Sequence, residues 1–345
     1  MAERVYRVGI SGSGFGARSH LPALSAHPRF DVVAIASPSS AARIAEERKI
    51  AHHFRSCAEM VEGCELDAAI VASPPFAHRD DVLAALAAGK HVLCEKPFAL
   101  SVAQAQEMAG ALSRSQLAGG INHEFRFVPQ LAALKELVAN HHLDPLRNIE
   151  ATLFRQMLHR GGTRERGWWF ERACGGGIAG AMLSHMIDQA SWLAGGAPEA
   201  SAGYLRIANP RRRDERGEFE STVDDGAFAL ARYDGGVIAR LSADTAVSVN
   251  SYTCAVHGED RTAVASGSSI TDLTLYSIDG EETNELDCKP SPYARFRSVD
   301  HHVPFLMELY DEFVKAIEGT PNALPTFDEA LSTQRVLASI GYGTD

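Results

Sequence analysis

The chain has 345 residues and a mass of 37.2 kDa, more than one typical core encloses, so two domains are expected. Hydrophobic residues at 45% and charged residues at 22% exclude a disordered chain. The formal charge of −11 argues against non-specific binding to nucleic acid or to an anionic membrane, so any anion has to be held by local geometry.

The start, MAERVYRVGI, carries no apolar run long enough for a signal peptide, and no stretch is long enough to span a bilayer, so the expected location is cytoplasmic. Tyr6 to Ser11 then reads as a short strand flowing into Gly12-Ser13-Gly14-Phe15-Gly16-Ala17, a GxGxxA pattern. In a dinucleotide site the first glycine makes the tight turn, the second lets backbone approach the pyrophosphate, and a small third residue lets helix pack on strand. A second strand, Asp31 to Ala36, follows at βαβ distance, with Pro22 expected to kink or restart the helix between them. Where an NAD enzyme normally places an acid for the ribose 2′-hydroxyl, the sequence has Ala36-Ser37-Pro38-Ser39-Ser40. Serine hydroxyls suit a 2′-phosphate and Arg43 lies near, which favours NADP over NAD; Ser39 or Ser40 also reads as a cap for the helix through Arg48.

The alternation continues with a strand from Asp67 to Ala72, then Ser73-Pro74-Pro75, then a helix to Ala88 closed by Gly89. The prolines are expected to form a rigid wall beside the cofactor, and His78 to contact cofactor or loop. The strand His91 to Cys94 ends in Glu95-Lys96-Pro97, which delivers two charged groups to the crevice where open α/β sheets bind ligands. There Lys96 is placed to exchange a proton with a substrate; the same residues also read as a solvated pair after a strand. Ser101 and Gln104 form a capping-box pattern for a helix reaching about Leu112. Strand and helix repeating at this spacing mean a doubly wound parallel sheet.

After Asn122-His123-Glu124-Phe125-Arg126 the pattern changes, which sets the expected domains at 1–122 and 123–345. A helix from Pro129 to Asn140 leads into strands around Ile149–Gln156, Ala200–Ile207, Gly226–Tyr233, Val237–Ala243 and Tyr252–His257, with Asp234-Gly235-Gly236 as a hairpin signal. This is a mostly antiparallel sheet, whose apolar face calls for helices on one side and a second subunit on the other, hence a homodimer or homotetramer. Helices at Pro304–Glu318 and Asp328–Ser339 are expected to pack back near the first domain. Asn122 is a candidate contact for the nicotinamide end, while Glu124 and Arg126 read as ligand contacts or as a structural pair. Arg164, Trp168 and Trp169, ahead of Gly175-Gly176-Gly177, offer a cation and flat surfaces to a pocket, or else tryptophans to a core. His185 and Asp188 lie one turn apart on one helix face. Arg211-Arg212-Arg213 reads as a solvated loop, and His52-His53, His141-His142 and His301-His302 as surface residues. Cys57, Cys64, Cys94, Cys174, Cys254 and Cys288 show no CxxC or zinc spacing, so reduced thiols and no metal are expected.

The order GISGSGFGARSH, VASPPFAHRDDVLAALAAGKHVLCEKP and INHEFRFVP, continued by GGGIAGAMLSHMID and YDEFVKAIEG, resembles the Gfo/Idh/MocA family of nicotinamide-dependent oxidoreductases over nearly the whole chain. The resemblance implies an N-terminal Rossmann domain and a C-terminal α/β domain whose open sheet mediates oligomers. It implies that Lys96 is the EKP lysine beside nicotinamide and substrate, with a cis bond to Pro97, and that His185 faces it across the substrate. The implied reaction moves a hydride between the ring and an alcohol or carbonyl of a small polar compound such as a sugar or cyclitol derivative. Family dehydrogenases usually carry an aspartate four residues before that histidine and a glycine two before; here these are Ala181 and Leu183. That departure keeps a second reading alive, a dinucleotide-binding sensor without turnover, although Asp188 offers a substitute carboxylate.

Overall fold

The computed structural model describes residues 3–158 and 164–343, and the chain divides into two units, Met1–Glu124 with Ser291–Leu331, and Phe125–Pro290 with Ser332–Asp345. In the first unit strand and helix alternate: β1 (Tyr6–Ser11), α1 (Leu21–Ala26), β2 (Phe30–Ala36), α2 (Ala41–Arg48), β3 (His52–Phe54), α3 (Cys57–Gly63), β4 (Ala68–Val71), α4 (Pro75–Ala87), β5 (His91–Cys94), α5 (Val102–Ser113) and β6 (Gly119–Ile121). All the pairings are parallel, in the order β3-β2-β1-β4-β5-β6. β4 is buried along its whole length, as a strand covered by helices on both faces must be, which is why it reads as an unbroken apolar run. The order reverses between β1 and β4, so the carboxyl ends of those two strands flank the switch point where such sheets bind ligands.

Local chemistry sets the element ends. The helix after β1 opens as a π turn, Gly16–His20, before α1, and the restart expected from Pro22 takes that form. Ser40 stands at the start of α2 but gives no side-chain cap, a correction to the capping role read from sequence: its hydroxyl pairs with that of Ser37 instead. Ser101 does cap α5, accepting from Gln104 N–H at 3.2 Å, while the Gln104 side chain accepts from Leu100 N–H.

The second unit begins with α6 (Pro129–Ala139), β7 (Asn148–Gln156) and α7 (Ser184–Ala194), the last opening with a π turn at Ala179–Leu183. Then come β8 (Ala200–Arg206), β9 (Arg211–Asp214), β10 (Gly217–Glu220), β11 (Gly226–Arg232), β12 (Ile238–Asp244), β13 (Ala246–His257), β14 (Arg261–Ser269), β15 (Asp272–Asp279) and β16 (Glu282–Leu286). Eight strands form one sheet in the order β16-β15-β14-β13-β7-β12-β11-β8, antiparallel except for β7 against β12. Gly235 and Gly236 take positive φ in the β11–β12 turn, as the hairpin signal requires. The arginine run Arg211–Arg213, read as a loop, is a strand paired with β10, because Gly217, at positive φ, opens β10 directly after a two-residue turn and pairs with Asp214. One sheet face is buried under α6 and α7; the other carries Tyr204 (80% exposed) paired with Phe228, and Leu230.

The chain then returns to the first unit through α8 (Val303–Ile317), and α9 (Phe327–Ser339) is shared between the units. α8 packs on α1, with Phe30 against Tyr310 and Phe313, and Phe327 seals a cluster with Phe98 at 4.6 Å between ring centres. No helix among the described residues is long and apolar enough to cross a membrane.

Candidate active site

At the end of β1 the turn is built by glycines with different tasks. Gly12 has φ of +113°, and a Cβ there would stand 2.1 Å from the Ala72 carbonyl oxygen, so only glycine lets the β1 and β4 ends meet. At Gly14 the opposite holds: a Cβ would meet nothing within 4 Å. The turn thus leaves an open place above its second glycine, the place a pyrophosphate needs, while Gly16 packs on Ile10 and Ala72. Ser11 Oγ donates to Asp81 at 2.8 Å and ties the turn to α4, and burial raises the Asp81 carboxyl against the hydrogen bonds of Ser73 and Ser11.

At the end of β2, the Ser37 hydroxyl lies 3.1 Å from Ser13 Oγ and 3.0 Å from Ser40 Oγ, a cluster of hydroxyls where a ribose-binding acid would stand. Arg43, on α2, is exposed and paired with Glu47 across one helical turn. Ser73 and Pro74 follow β4, and His78 joins their loop to the next. One His78 nitrogen lies 2.8 Å from the Ser73 carbonyl and the other 3.0 Å from that of Pro97, so of the two contacts expected for this ring, cofactor or loop, it makes the loop contact, donating its one N–H to one of those carbonyls. Burial pushes its imidazole below the usual range.

Glu95 and Lys96 follow β5, and the Lys96–Pro97 bond is cis. Glu95 is no solvated charge: it is 6% exposed, and Oε1 accepts from His20 Nε2 at 2.8 Å and from Asn122 Nδ2. Its Oε2 accepts from the Lys96 backbone N–H at 3.2 Å. Burial alone would raise the Glu95 carboxyl, but His20, Lys96 and Asn122 outweigh it and hold the group at about 2, ionised although buried. His20 in turn contacts the Tyr310 hydroxyl at 2.6 Å through Nδ1. Phe15 of the glycine turn packs edge-on against both His20 and His302, each at 5.3 Å. His302 lies 3.3 Å from Glu124, with its side chain 18% exposed, so it is not the surface residue read from sequence. His20, Tyr310 and His302 are site residues the sequence reading missed; only tertiary contact over up to 290 positions reveals them.

The other expected residues belong to the second unit. His185 follows the π turn into α7 and is buried, its ring stacked on Phe125 at 4.0 Å and 8°. Asp188 accepts from Arg126 with both oxygens, at 2.8 and 2.6 Å, and both residues are buried. Arg126 and Asp188 therefore form a pair, one of the two roles open to Arg126. Ala181 packs against the apolar cluster of Leu158, Trp169, Phe170, Phe219 and Val223, surroundings that suit a methyl group and not a carboxylate. Trp169 is buried in that cluster, with the Arg164 guanidinium 4.3 Å from its ring centre, while Trp168 is half exposed. A carboxylate that sequence reading missed, Asp224, accepts from Ala179 N–H at 2.7 Å at the start of the segment leading to His185, and burial pushes it up to about 6.

A six-stranded 3-2-1-4-5-6 sheet with this glycine turn defines a dinucleotide-binding fold. Residues 6–123 match the oxidoreductase family with an NAD-binding Rossmann fold, and residues 131–264 match the GFO/IDH/MocA C-terminal domain. The chain belongs to the GFO/IDH/MocA family of oxidoreductases. It is 32% identical over 209 residues to an uncharacterised oxidoreductase of Synechocystis, a match covering 60% of this chain and 56% of that protein. It is 28% identical over 264 residues to the 1,5-anhydro-D-fructose reductase of Ensifer adhaerens, covering 74% of this chain and 76% of the relative. In fold it is similar to levoglucosan dehydrogenase solved with NADH and levoglucosan, with a TM-score of 0.86, 20% identity, and coverage of 98% of this chain and 96% of that one.

Proposed function

We propose that this protein is a cytoplasmic NAD(P)-dependent oxidoreductase, NADP favoured, acting on an alcohol or carbonyl of a small sugar or cyclitol derivative. The observation that carries the reading is the open cradle at Gly14 at the switch point, with Lys96 delivered by neighbouring β5 and anchored through ionised Glu95. A bound nicotinamide dinucleotide would supply the hydride acceptor or donor. The chain would supply the rest. Gly12, Ser13, Gly14, Phe15 and Gly16 hold the pyrophosphate; Ser37 and Ser40 donate to a ribose 2′-phosphate. Arg43 joins them at little cost, because its exposed pair with Glu47 is worth under ~1 kcal/mol. Ser73, Pro74 and Asn122 bound the nicotinamide end. On this reading Lys96, His185 or both take the hydroxyl proton, and Glu124, Arg164 and Trp168 contribute to substrate recognition, while Asp188, held by Arg126, shapes the wall behind His185. The test is Lys96→Ala, expected to lower turnover by about 10²- to 10⁴-fold while dinucleotide binding survives. Near wild-type turnover would remove Lys96 from the mechanism.

The names of relatives, a 1,5-anhydro-D-fructose reductase and a levoglucosan dehydrogenase, support the sugar class. Ala181 supports the second reading, a sensor that binds dinucleotide without turnover, since its methyl group sits where the family's usual carboxylate is missing. We propose also that copies of the chain associate through the sheet face carrying Tyr204, Phe228 and Leu230, a dimer or tetramer that sedimentation would resolve.

A further inference from the structure

We infer that the His20–Glu95 pair fixes the Asn122 amide so that its oxygen takes an N–H from the ligand's carboxamide, making Asn122 the residue that reads the amide of the nicotinamide ring. The inference rests on the cofactor reading above and deepens it.

Asn and Gln amides turn easily, and which end faces a ligand is decided by what fixes the other end. Here the fixed end is Glu95. Its carboxylate is ionised, so it accepts only. With Oε1 receiving His20 Nε2, the atom Asn122 turns towards it must be Nδ2, which donates. The other His20 nitrogen, Nδ1, lies 2.6 Å from the Tyr310 hydroxyl, so the ring is held from both sides and Nε2 is the atom that faces Glu95. Asn122 is fully buried, and among the described residues its Oδ1 has no hydrogen-bond partner. Buried acceptors are rarely left so, and an orphan at a binding crevice marks a group completed by a ligand. Asn122 stands one residue past β6, its N–H on the Cys94 carbonyl, level with the β5 end that carries Lys96. A ligand completing Oδ1 must bring a hydrogen on nitrogen or oxygen. A primary carboxamide brings it in a fixed plane and so would orient the ring as well as bind it.

The test is calorimetric titration of the full chain with the tighter-binding of NAD and NADP, with its acetylpyridine analogue, which keeps the carbonyl but has no N–H, and with the matching ADP-ribose. Wild type should bind the parent dinucleotide about 5- to 150-fold more tightly than the analogue, the range for a buried acceptor left without its donor. Asn122→Ala, and Glu95→Gln, which frees the amide to turn, should bring the two within about twofold while ADP-ribose affinity holds. Equal binding of both dinucleotides by wild type, or an unchanged preference in Asn122→Ala, would overturn the inference. If Glu95→Gln proves too unstable to bind ADP-ribose, the wild-type and Asn122→Ala preferences decide alone. Failure of wild type to bind either ADP-ribose or dinucleotide would instead sink the cofactor reading, and this inference with it.

Discussion

Two glycines two positions apart should respond to substitution in opposite ways. At Gly12 a Cβ would lie 2.1 Å from Ala72 O, 2.3 Å from Ala72 C and 2.6 Å from Ser73 N, all backbone atoms that no rotamer change can move. The φ of +113° adds strain for any side chain. Each effect costs ~1–3 kcal/mol, so Gly12→Ala should lose ~2–6 kcal/mol, or roughly 3 to 8 °C in Tm for a chain of this length. At Gly14 there is nothing within 4 Å, so Gly14→Val should stay within ~1 kcal/mol of wild type. Its branched side chain would fill the place assigned to the pyrophosphate. Thermal unfolding and dinucleotide titration, run on both variants, separate the effects: Gly12→Ala melts early, and Gly14→Val melts normally but binds NAD(P) at least ~100-fold more weakly, from the lost close approach of backbone to phosphate. Wild-type affinity in Gly14→Val would refute the assignment of the cradle, and wild-type stability in Gly12→Ala would refute the steric argument.

Ser37→Asp should shift preference from NADP towards NAD in paired titrations, and tighter binding of NAD by wild type would refute the reading of the serine cluster. Because burial pushes Asp224 up to about 6, the folded chain keeps that proton at pH values where the unfolded chain has lost it. Stability should therefore fall as pH rises from about 4 to about 6, by at most ~3 kcal/mol, and Asp224→Asn should remove that part of the slope in urea titrations. Arg126→Met leaves the Asp188 carboxylate buried without its bidentate partner and should cost ~3–5 kcal/mol, whereas Arg126→Met with Asp188→Leu should cost less than the single change. Trp192, 5.6 Å from the guanidinium, reports that unfolding by fluorescence, and additive losses would contradict the coupling.

The first unit was largely legible because parallel strands buried on both faces read as apolar runs, and because a turn such as Gly12–Gly16 admits few residue types. What was not legible depends on distance along the chain. His20 and Glu95 are 75 residues apart and His20 and Tyr310 are 290 apart, and nothing local marks a histidine in a helix as the partner of a buried acid. His302 follows an exposed neighbour and so reads as surface, yet the fold turns it towards Glu124 and Phe15. β3 is not legible at three residues, two of them exposed histidines, nor is the Arg211–Asp214 strand, because a separate hairpin of charged residues carries no apolar alternation. Asp188 shows the limit of spacing arguments: one turn from His185, it is nonetheless committed to Arg126.

The most direct test is to mix the full chain with NADP or NAD and a panel of sugars, cyclitols and their oxidised forms, and follow nicotinamide absorbance. The account predicts hydride transfer with at least one member of the panel. Tight dinucleotide binding with no absorbance change across the whole panel would contradict it and leave the sensor in its place.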